Sequence, residues 1–443
     1  MIKIQNANEI EESFFYGRNF SESIQVVSDV LKDVQTRGDK ALHEYTKKFD
    51  QSNPLSFEVP VEVLKNCAEK MQRENKDLYD SLCYSRDLAL RFAKEQRKSF
   101  NDFEIELEKG LFTGQKNIPV ERAGVYVPAG RFPLVSTVVM TVTPAVAAGV
   151  KEIILCTPPR VFPGDVNDGG KPYADENIMA AAYLCGVTKV FACGGSQAIA
   201  AMAFGTESIP RCDVIVGPGN KFVAEAKKQV YGTVGIDMVA GPTEVFIIAD
   251  EKANPVWVAA DLLAQAEHDV VAQPILATPS LEFAEKVRDE IERQIATLAT
   301  KEIAEKSISA CGKIIITKDL DEACVLANKK APEHLEIALD EGSERERIIG
   351  LVHNYGSLFI GHGAAEVFGD YAAGLNHTLP TSGSARFTGG LSVRVFLKTV
   401  TTLRTKDGEE GTVKSASAAG HLGDAEGLAA HARAARLRLG ETI

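Results

Sequence analysis

The sequence predicts an α/β fold built on parallel sheet. Short β-branched apolar runs each end in turn residues, and Ala-rich amphipathic stretches of helix length separate one run from the next. A strand buried on both faces of a parallel sheet has this nearly continuous apolar character. The runs are GVYVP (124–128), EIILCTP (152–158), KVFACGG (189–195), DVIVGPGN (213–220) and EVFIIAD (244–250).

The first hundred residues predict helices rather than strands. From Ser21 to Gln35 the apolar residues recur at helical spacing, and Gly38 follows as a stop. A similar pattern extends from Leu64 to Phe92. Because 443 residues exceed what one small core accommodates, we expect two or more domains.

A second sheet region is predicted to begin within Val239 to Asp250. After it come a helix at Asp261–Asp269, a strand at Gln273–Thr278, a helix at Leu281–Leu298 and a strand at Lys313–Thr317. The C-terminal part differs in composition, with a polar, turn-rich stretch at 383–390 and an Ala-rich predicted helix at 416–439.

The acidic composition of the chain disfavours two classes of partner, nucleic acids and anionic membranes. The formal net charge is −12, whereas nucleic-acid-binding proteins carry a basic surface, so we expect no nucleic-acid partner. An anionic membrane surface is disfavoured for the same reason. The chain does not open with a basic segment followed by an apolar one, so we expect no signal peptide and a cytoplasmic protein. The uncharged run Phe132–Val150 contains Pro133 and Pro144, which favours buried strand and helix over a membrane span.

The eight cysteines do not indicate a metal centre. None belongs to a CxxC pair, so a cysteine-ligated zinc site is not predicted. In a chain without a secretion signal we expect them to be reduced and mostly buried.

The sharpest local motif is LLAQAEHD (262–269). Gln265 and His268 are three residues apart, so on a helix they share a face, and an amide oxygen and an imidazole there suit one divalent metal ion. Taken alone, an ordinary solvated helix face with a satisfied histidine is the favoured explanation, since such pairs are common.

A second motif, APEHLEI (331–337), places Glu333 next to His334. Histidine titrates near neutrality and suits general-base work, while a neighbouring glutamate can activate water or orient the imidazole. The alternative is the start of a helix, with Pro332 at its first position and Glu333 in its first turn.

Two further motifs lie nearer the C-terminus. GDYAAGLNHTLPT (369–381) predicts an irregular loop that carries Asp370 and His377, although Asp370 also suits a helix cap. In AEGLAAHA (425–432), Glu426 and His431 are five residues apart on a predicted helix, a spacing that does not place them on one narrow face.

Two glycine turns follow strands and open helices, at CGGSQAIAA (193–201) and VGPGNKFVAEA (216–226). Such junctions offer free backbone N–H groups to a phosphate. Neither matches the GxGxxG dinucleotide fingerprint with its distant acidic residue. A cofactor turn and a plain tight turn are both compatible with the pattern.

These segments together resemble the histidinol dehydrogenase family. The resemblance extends from RGDKALHEYTKKFD (37–50) to the AEGLAAHA segment, and it is carried by ERAGVYVPAG, GGSQAIAAMAFGT, VGPGNKFVAEAK, DMVAGPTEV, LLAQAEHD, APEHLEI, GDYAAGLNHTLPT and EGLAAH. It implies oxidation of L-histidinol to L-histidine in two NAD-dependent steps through the aldehyde.

The resemblance also implies roles for individual residues. It implies one zinc ion per subunit, held by Gln265, His268, Asp370 and His431, with His431 donated by the second subunit of a homodimer. Substrate contacts are implied for Thr243, His377 and Glu426, and for His334 and the zinc ligands themselves. His334 is the implied base, Glu333 the implied activator of water, and Tyr126, Gln197 and Asn220 the implied NAD contacts.

The fold implied is a pair of incomplete Rossmann-like (aldehyde-dehydrogenase-like) domains with extended, mostly helical N- and C-terminal arms. The expected boundaries are an N-terminal arm at 1–25, a catalytic α/β domain at 26–120 plus 243–382, an NAD-binding α/β domain at 121–242, and a C-terminal arm at 383–443 that contributes to the dimer and the zinc site.

Some positions depart from the family pattern. Thr243 stands where serine is usual; it keeps a hydroxyl and adds a methyl group. Ala129 and Arg131 replace a glycine-rich, less basic turn, and TGGLSVRVFLKTVT (388–401) resembles related enzymes that oxidise sulfonated diols. The alternative is therefore a dehydrogenase of 2,3-dihydroxypropane-1-sulfonate, with Arg131 or Arg386 facing the anion. A carboxylate at Glu426 repels a sulfonate and favours histidinol.

Overall fold

The computed structural model describes residues 1–16, 23–129, 133–160 and 174–442. Within these ranges the helices α1 to α16 are Ile24–Arg37, Asp39–Phe49, Val61–Glu74, Lys76–Lys98, Val135–Ala148, Glu176–Leu184, Gly195–Phe204, Lys221–Val230, Pro255–Ala266, Leu281–Ile295, Lys301–Ala310, Leu320–Lys330, Ser343–Leu351, Glu366–Tyr371, Glu410–Ala425 and Ala429–Leu437. The strands β1 to β15 are Lys3–Asn6, Glu58–Val59, Phe103–Glu108, Leu111–Pro119, Arg122–Tyr126, Glu152–Thr157, Lys189–Ala192, Val214–Val216, Gly235–Ile236, Glu244–Ala249, Gln273–Thr278, Lys313–Ile316, His334–Ala338, Ser357–Ile360 and Leu397–Thr405.

The first six-stranded sheet has the order β2-β7-β6-β5-β8-β9. Its strands run parallel except β2, which pairs antiparallel with β7. From β5 the chain steps outward through β6 and β7, then returns to the other side of β5 for β8 and β9. The carboxyl ends of β5 and β8 therefore flank a topological switch point, the usual place for a ligand crevice in an open α/β sheet.

The second six-stranded sheet is parallel throughout and has the order β1-β12-β11-β10-β13-β14. Both faces are covered, because Val245 and Ile247 pack into one apolar core and Phe246 and Ile248 into another. Its chain order reverses between β10 and β13. These two parallel sheets confirm the predicted α/β fold class.

The chain divides into two compact units: Met1–Lys94 with Glu121–Phe396, and Glu95–Val120 with Leu397–Ile443. The larger unit contains both six-stranded sheets. The smaller unit contains the antiparallel sheet β15-β4-β3 together with α15 and α16. The predicted division into four parts follows from the family resemblance rather than from compactness, and it stays a prediction.

Most predicted elements form, and several have different limits. The predicted helix at 64–92 is two helices, because Asn75 leaves helical geometry with φ −143° and ψ 67°. The predicted helix at 416–439 breaks at Gly427, whose φ is +73°. APEHLEI forms strand β13, so the interpretation as a helix start is wrong.

The sequence pattern did not reveal β3, β4 and β15. Every residue of β3 is exposed, so it lacks the apolar run by which the buried strands were found. In the described part of the chain, no helix combines the length and apolar character needed to cross a bilayer.

Candidate active site

The second sheet brings the two predicted catalytic residues and one predicted substrate contact together at the amino ends of β10 and β13. Thr243 immediately precedes β10, and Glu333 immediately precedes β13, whose first residue is His334. The two strands are neighbours in register, with Val245 opposite His334, so their starting residues lie side by side.

A short hydrogen-bond chain links three of these side chains. The Thr243 hydroxyl donates to Glu333 Oε2 at 2.5 Å, and the Glu244 backbone N–H donates to the same oxygen at 3.1 Å. Gln265 Nε2 donates to Thr243 Oγ1 at 2.5 Å. The Gln265 Oε1 atom is buried and has no hydrogen-bond partner. The side chains are thereby held in place while one amide oxygen stays available to a cation or a donor.

His334 lies among carboxylates. Its Nδ1 atom is 3.5 Å from Glu366 Oε2 and 3.9 Å from Glu333 Oε2, and its Nε2 atom is 3.5 Å from Asp370 Oδ1. Burial lowers the pKa of the imidazole, but the carboxylates of Glu333, Glu366 and Asp370 outweigh it and raise the pKa to about 10. The site therefore stabilises a protonated His334.

Glu333 has the opposite environment for a carboxylic acid. Burial raises its pKa to about 7, although His334, the Thr243 hydroxyl and the Glu244 N–H all favour the charged form. A carboxyl group with this pKa exchanges protons near neutrality, which suits acid–base chemistry.

Asp370, His268 and His377 complete the polar cluster of the larger unit. Burial raises the pKa of Asp370, but His334, His377 and His268 act against it, and the net pKa is lowered. Burial lowers the pKa of His377, whose Nε2 atom is buried without a hydrogen-bond partner. Desolvation by the surrounding protein also lowers the pKa of His268. Part of this side chain is nevertheless exposed, because it lines two cavities. Both imidazoles are therefore favoured in the neutral form that binds metals.

Two local expectations about these residues are wrong. Helix α9 ends at Ala266, so His268 lies in the following turn and does not share a helical face with Gln265. Asp370 belongs to the short helix α14 rather than to an irregular loop or a cap. Only His377 lies in irregular chain, as predicted.

The donor types in this cluster bear on the predicted zinc site. Among the described residues, no three His, Cys, Asp or Glu side chains form a group able to hold a metal ion. The predicted ligand set differs in kind, because it includes the amide of Gln265 and takes His431 from the smaller unit. Gln265 has an unpartnered Oε1 atom, and the pKa shifts favour a neutral His268 and a charged Asp370; each is a donor type that zinc accepts.

Glu426 and His431 both belong to the smaller unit. They do not share a helix, since Glu426 follows the end of α15 and His431 lies in α16, with Gly427 between. Both side chains are exposed. Their roles in substrate and zinc binding stay predictions.

The predicted cofactor residues lie at the carboxyl edge of the first sheet. Tyr126 ends β5, and its hydroxyl accepts a hydrogen bond from the Gly195 N–H at 3.0 Å. Gln197, in the first turn of α7, donates to Asp50 at 3.1 Å and keeps a buried, unpartnered Oε1. Asn220 follows β8 and caps α8. Tyr126 and Asn220 thus flank the switch point between β5 and β8.

The turn after β8 approaches β5 very closely. Gly217 has a φ of +117°, and a Cβ atom there would lie 2.2 Å from the Tyr126 carbonyl oxygen. Asp237 accepts the Gly217 N–H at 2.8 Å, while Lys227 donates to the Gly217 carbonyl at 2.8 Å and pairs with Asp237. This buried ion pair fixes the turn that leads to Asn220.

A cavity of about 680 Å³ connects the two regions. Its lining runs from Gly219 and Asn220 through Pro242 and Thr243 to His268. His268 also lines a second, mainly apolar cavity of about 410 Å³ together with residues such as Leu82 and Tyr371. A ligand in the larger cavity therefore reaches from the α8 turn to the polar cluster.

Sequence reasoning did not identify several buried ionisable residues near His334. Glu336 is two residues farther along β13, Glu366 starts α14, and Asp261 lies in α9. Burial raises the pKa of Asp261 to about 7 and raises those of Glu336 and Glu366 well above the ordinary value. Charged residues in a predicted buried strand or helix were the available clue, and Glu336 lies within APEHLEI itself.

Arg386, one of the two arginines predicted to suit an anionic substrate, gives no support to that alternative. Arg386 is exposed and donates to the Lys329 carbonyl oxygen. Arg131 lies outside the described residues.

The fold and the site define a class: an α/β enzyme with a buried histidine–glutamate pair near a sheet-edge cavity. The family model for histidinol dehydrogenase matches residues 17–439. The chain belongs to the histidinol dehydrogenase family of oxidoreductases.

Individual relatives agree with this assignment. The chain is 45% identical to histidinol dehydrogenase of Aquifex aeolicus over 419 residues, covering 93% of this chain and 91% of the relative. It is 45% identical to that of Bacillus cereus over 437 residues, covering 99% and 95%. The crystal structure of histidinol dehydrogenase from Elizabethkingia anophelis superposes with a TM-score of 0.89 at 34% identity, covering 99% of this chain and 98% of that one.

Proposed function

We propose that this protein is a histidinol dehydrogenase that oxidises L-histidinol through L-histidinaldehyde to L-histidine with NAD. The observation that carries the proposal is the cluster of Thr243, Glu333 and His334 at the amino ends of β10 and β13, next to a cavity that extends to Asn220. A cytoplasmic location is consistent with this role in amino-acid biosynthesis.

His334 is the proposed base for the first oxidation. Removing a hydride from an alcohol requires loss of the hydroxyl proton, so a base beside the carbinol is needed. The surrounding carboxylates stabilise the imidazolium that forms. Asp370 is one of these carboxylates, and when it binds a cation its charge is offset, which lowers the pKa of His334 towards neutrality.

Glu333 is the proposed base for the second oxidation, in which water adds to the aldehyde. Its pKa of about 7 leaves a large carboxylate fraction at neutral pH. Because Thr243 and the Glu244 N–H hold Glu333 Oε2, the other carboxyl oxygen faces no such donor and is the one available to water. The proposal divides the two proton removals between neighbouring residues.

Gln265, His268 and Asp370 are the proposed zinc ligands within one subunit, and His431 of the partner subunit completes the set. Zinc held there would bind the imidazole and amine of the substrate, for which Thr243, His377 and Glu426 are further proposed contacts. The unpartnered Gln265 Oε1 and the lowered pKa of His268 support this assignment.

The proposed NAD site is the carboxyl edge of the first sheet, with contacts from Tyr126, Gln197 and Asn220. NAD accepts the hydride in each oxidation. The topological switch point between β5 and β8 and the unpartnered Gln197 Oε1 support this location.

A substrate panel tests the proposed function. We expect the zinc-loaded protein to reduce NAD with L-histidinol at a kcat/KM at least roughly 100-fold above that with 2,3-dihydroxypropane-1-sulfonate or simple alcohols, because a carboxylate-lined site repels a sulfonate. Absorbance at the NADH wavelength and product chromatography measure this. Preference for the sulfonated diol, or no histidine among the products, contradicts the proposal.

A further inference from the structure

The imidazole of His334 has a different carboxylate at each ring nitrogen. Glu366 Oε2 lies 3.5 Å from Nδ1, and Asp370 Oδ1 lies 3.5 Å from Nε2. Asp370 is a proposed zinc ligand, and Glu366 has no such role. The two ring nitrogens therefore have different partners for different tasks.

Glu366 is a better partner for Nδ1 than Glu333 is. Glu333 Oε2 is farther from Nδ1, at 3.9 Å, and already accepts from the Thr243 hydroxyl and the Glu244 N–H. Glu366 Oε2 is buried and has no hydrogen-bond partner. Because a buried polar atom without a partner is unfavourable, a hydrogen bond between Glu366 Oε2 and His334 Nδ1 satisfies both groups.

The protein fixes the position of Glu366 from the same strand that carries His334. The backbone N–H of Glu366 donates to Glu336 Oε1 at 3.1 Å, and Glu336 lies two residues after His334 in β13. Alternate strand residues share a face, so Glu336 and His334 point to the same side of the sheet. The start of α14 is thereby held against the imidazole.

We propose that Glu366 is a positioning residue for His334: its carboxyl group holds Nδ1 and so fixes the ring, with Nε2 as the nitrogen left for the substrate. A histidine base needs a ring that is held at one nitrogen and available at the other. In the proposed oxidation a proton moves only from the substrate hydroxyl to Nε2, and Glu366 neither gains nor loses one. This inference rests on the proposed function.

Substitution of Glu366 tests the inference in the zinc-loaded dimer. Because outer partners of this kind are typically worth 10–100-fold, we expect Glu366→Gln, which keeps an acceptor but removes the charge, to lower kcat roughly 10-fold and Glu366→Leu to lower it roughly 100-fold. We expect KM for histidinol and the zinc content to stay at wild-type values. Asp340→Asn is the matched control, because Asp340 contacts His362 at 3.1 Å away from the cluster; we expect wild-type kcat.

A wild-type kcat in Glu366→Gln overturns the inference. This outcome is decisive even if Glu366→Leu does not fold. So does a fall in kcat matched by loss of zinc or a rise in KM, since that marks a merely structural role. Nitrogen NMR shifts of the His334 ring, assigned with His334→Gln, give a readout independent of turnover. We expect ring shifts that change in Glu366→Gln and stay unchanged in Asp340→Asn. If the wild-type protein does not oxidise histidinol but the ring shifts still change in Glu366→Gln, the proposed function fails and the positioning contact stands. Identical ring shifts in the wild-type protein and Glu366→Gln overturn the inference.

Discussion

At the scale of single residues, the molecule places two adjacent titratable groups in environments that move their pKa values apart. Burial dominates for Glu333 and raises its pKa to about 7, whereas neighbouring carboxylates dominate for His334 and raise its pKa to about 10. Pairs separated in this way usually hold distinct acid and base roles. The two oxidations therefore differ in their dependence on each residue.

We expect Glu333→Gln to stop the reaction after one oxidation. The glutamine oxygen still accepts from Thr243 and Glu244, so the fold is retained, but no carboxylate activates water and the second step slows by roughly 10²–10⁴-fold. NADH formed per histidinol consumed falls from two towards one, and trapped aldehyde accumulates. His334→Ala, in contrast, slows formation of the first NADH as well.

The carboxylate role of Glu333 also sets a pH dependence. Activity in the second step falls as the pH drops through about 7, where Glu333 takes up a proton. The raised pKa means that the folded protein binds this proton more tightly than the unfolded chain, so its contribution to stability decreases as pH rises from the ordinary glutamate range towards 7. A Glu333→Gln protein that still yields two NADH per histidinol removes Glu333 from the water-activating role.

The sequence predicted site residues whose polar side chains interrupt apolar motifs. It did not predict residues whose proposed role depends on a contact with another element. Glu333, His334 and Gln265 are polar groups in otherwise apolar motifs, and the structure brings them together. Glu366 was missed because its contact with His334 joins α14 to β13, and short-range spacing carries no information about such a pairing.

At the scale of elements, the two parallel sheets reverse chain order at corresponding places but offer opposite edges. The first presents the carboxyl ends of β5 and β8, as the general rule for open α/β sheets predicts. The second presents the amino ends of β10 and β13. Apolar runs predicted the strands themselves, whereas the catalytic edge was not predictable because it depends on which strands become neighbours.

We expect Lys227→Met to destabilise the protein by about 3–5 kcal/mol, because it leaves the buried Asp237 carboxylate without its cation. Adding Asp237→Asn is expected to recover part of this loss, since the unpaired charge is then gone. Chemical denaturation measures the free energy of unfolding. Lys189→Met is the matched control, because its pair with Glu152 is solvent-exposed and worth about 0–1 kcal/mol.

The same variant tests whether the turn after β8 serves NAD. Lys227 and Asp237 fix Gly217, and Gly217 leads to Asn220. We expect NAD affinity, measured by calorimetry, to fall in Lys227→Met and to be unchanged in Lys189→Met. Wild-type stability and NAD affinity in Lys227→Met would mean that the ion pair does not hold the turn.

At the scale of the whole molecule, the proposed site residues are divided between the two compact units of the chain. The larger unit contains three of the four proposed zinc ligands, and the smaller unit carries the exposed Glu426 and His431. The resemblance predicts that a second subunit supplies these exposed residues to the buried site. No pattern within the AEGLAAHA segment indicates this arrangement, so it stays a prediction.

Mixing two inactive variants tests the homodimer directly. His334→Ala removes the base and His431→Ala removes a zinc ligand, so each homodimer is expected to be inactive, and His431→Ala to contain less zinc. If His431 acts across the interface, a mixed dimer combines one intact His334 site with one intact His431, and random exchange at equal amounts restores about a quarter of wild-type activity. If His431 acts within its own subunit, every site in the mixed dimer lacks one residue and mixing restores nothing. Sedimentation confirms dimer exchange, and full zinc occupancy in His431→Ala would exclude His431 as a ligand on either arrangement.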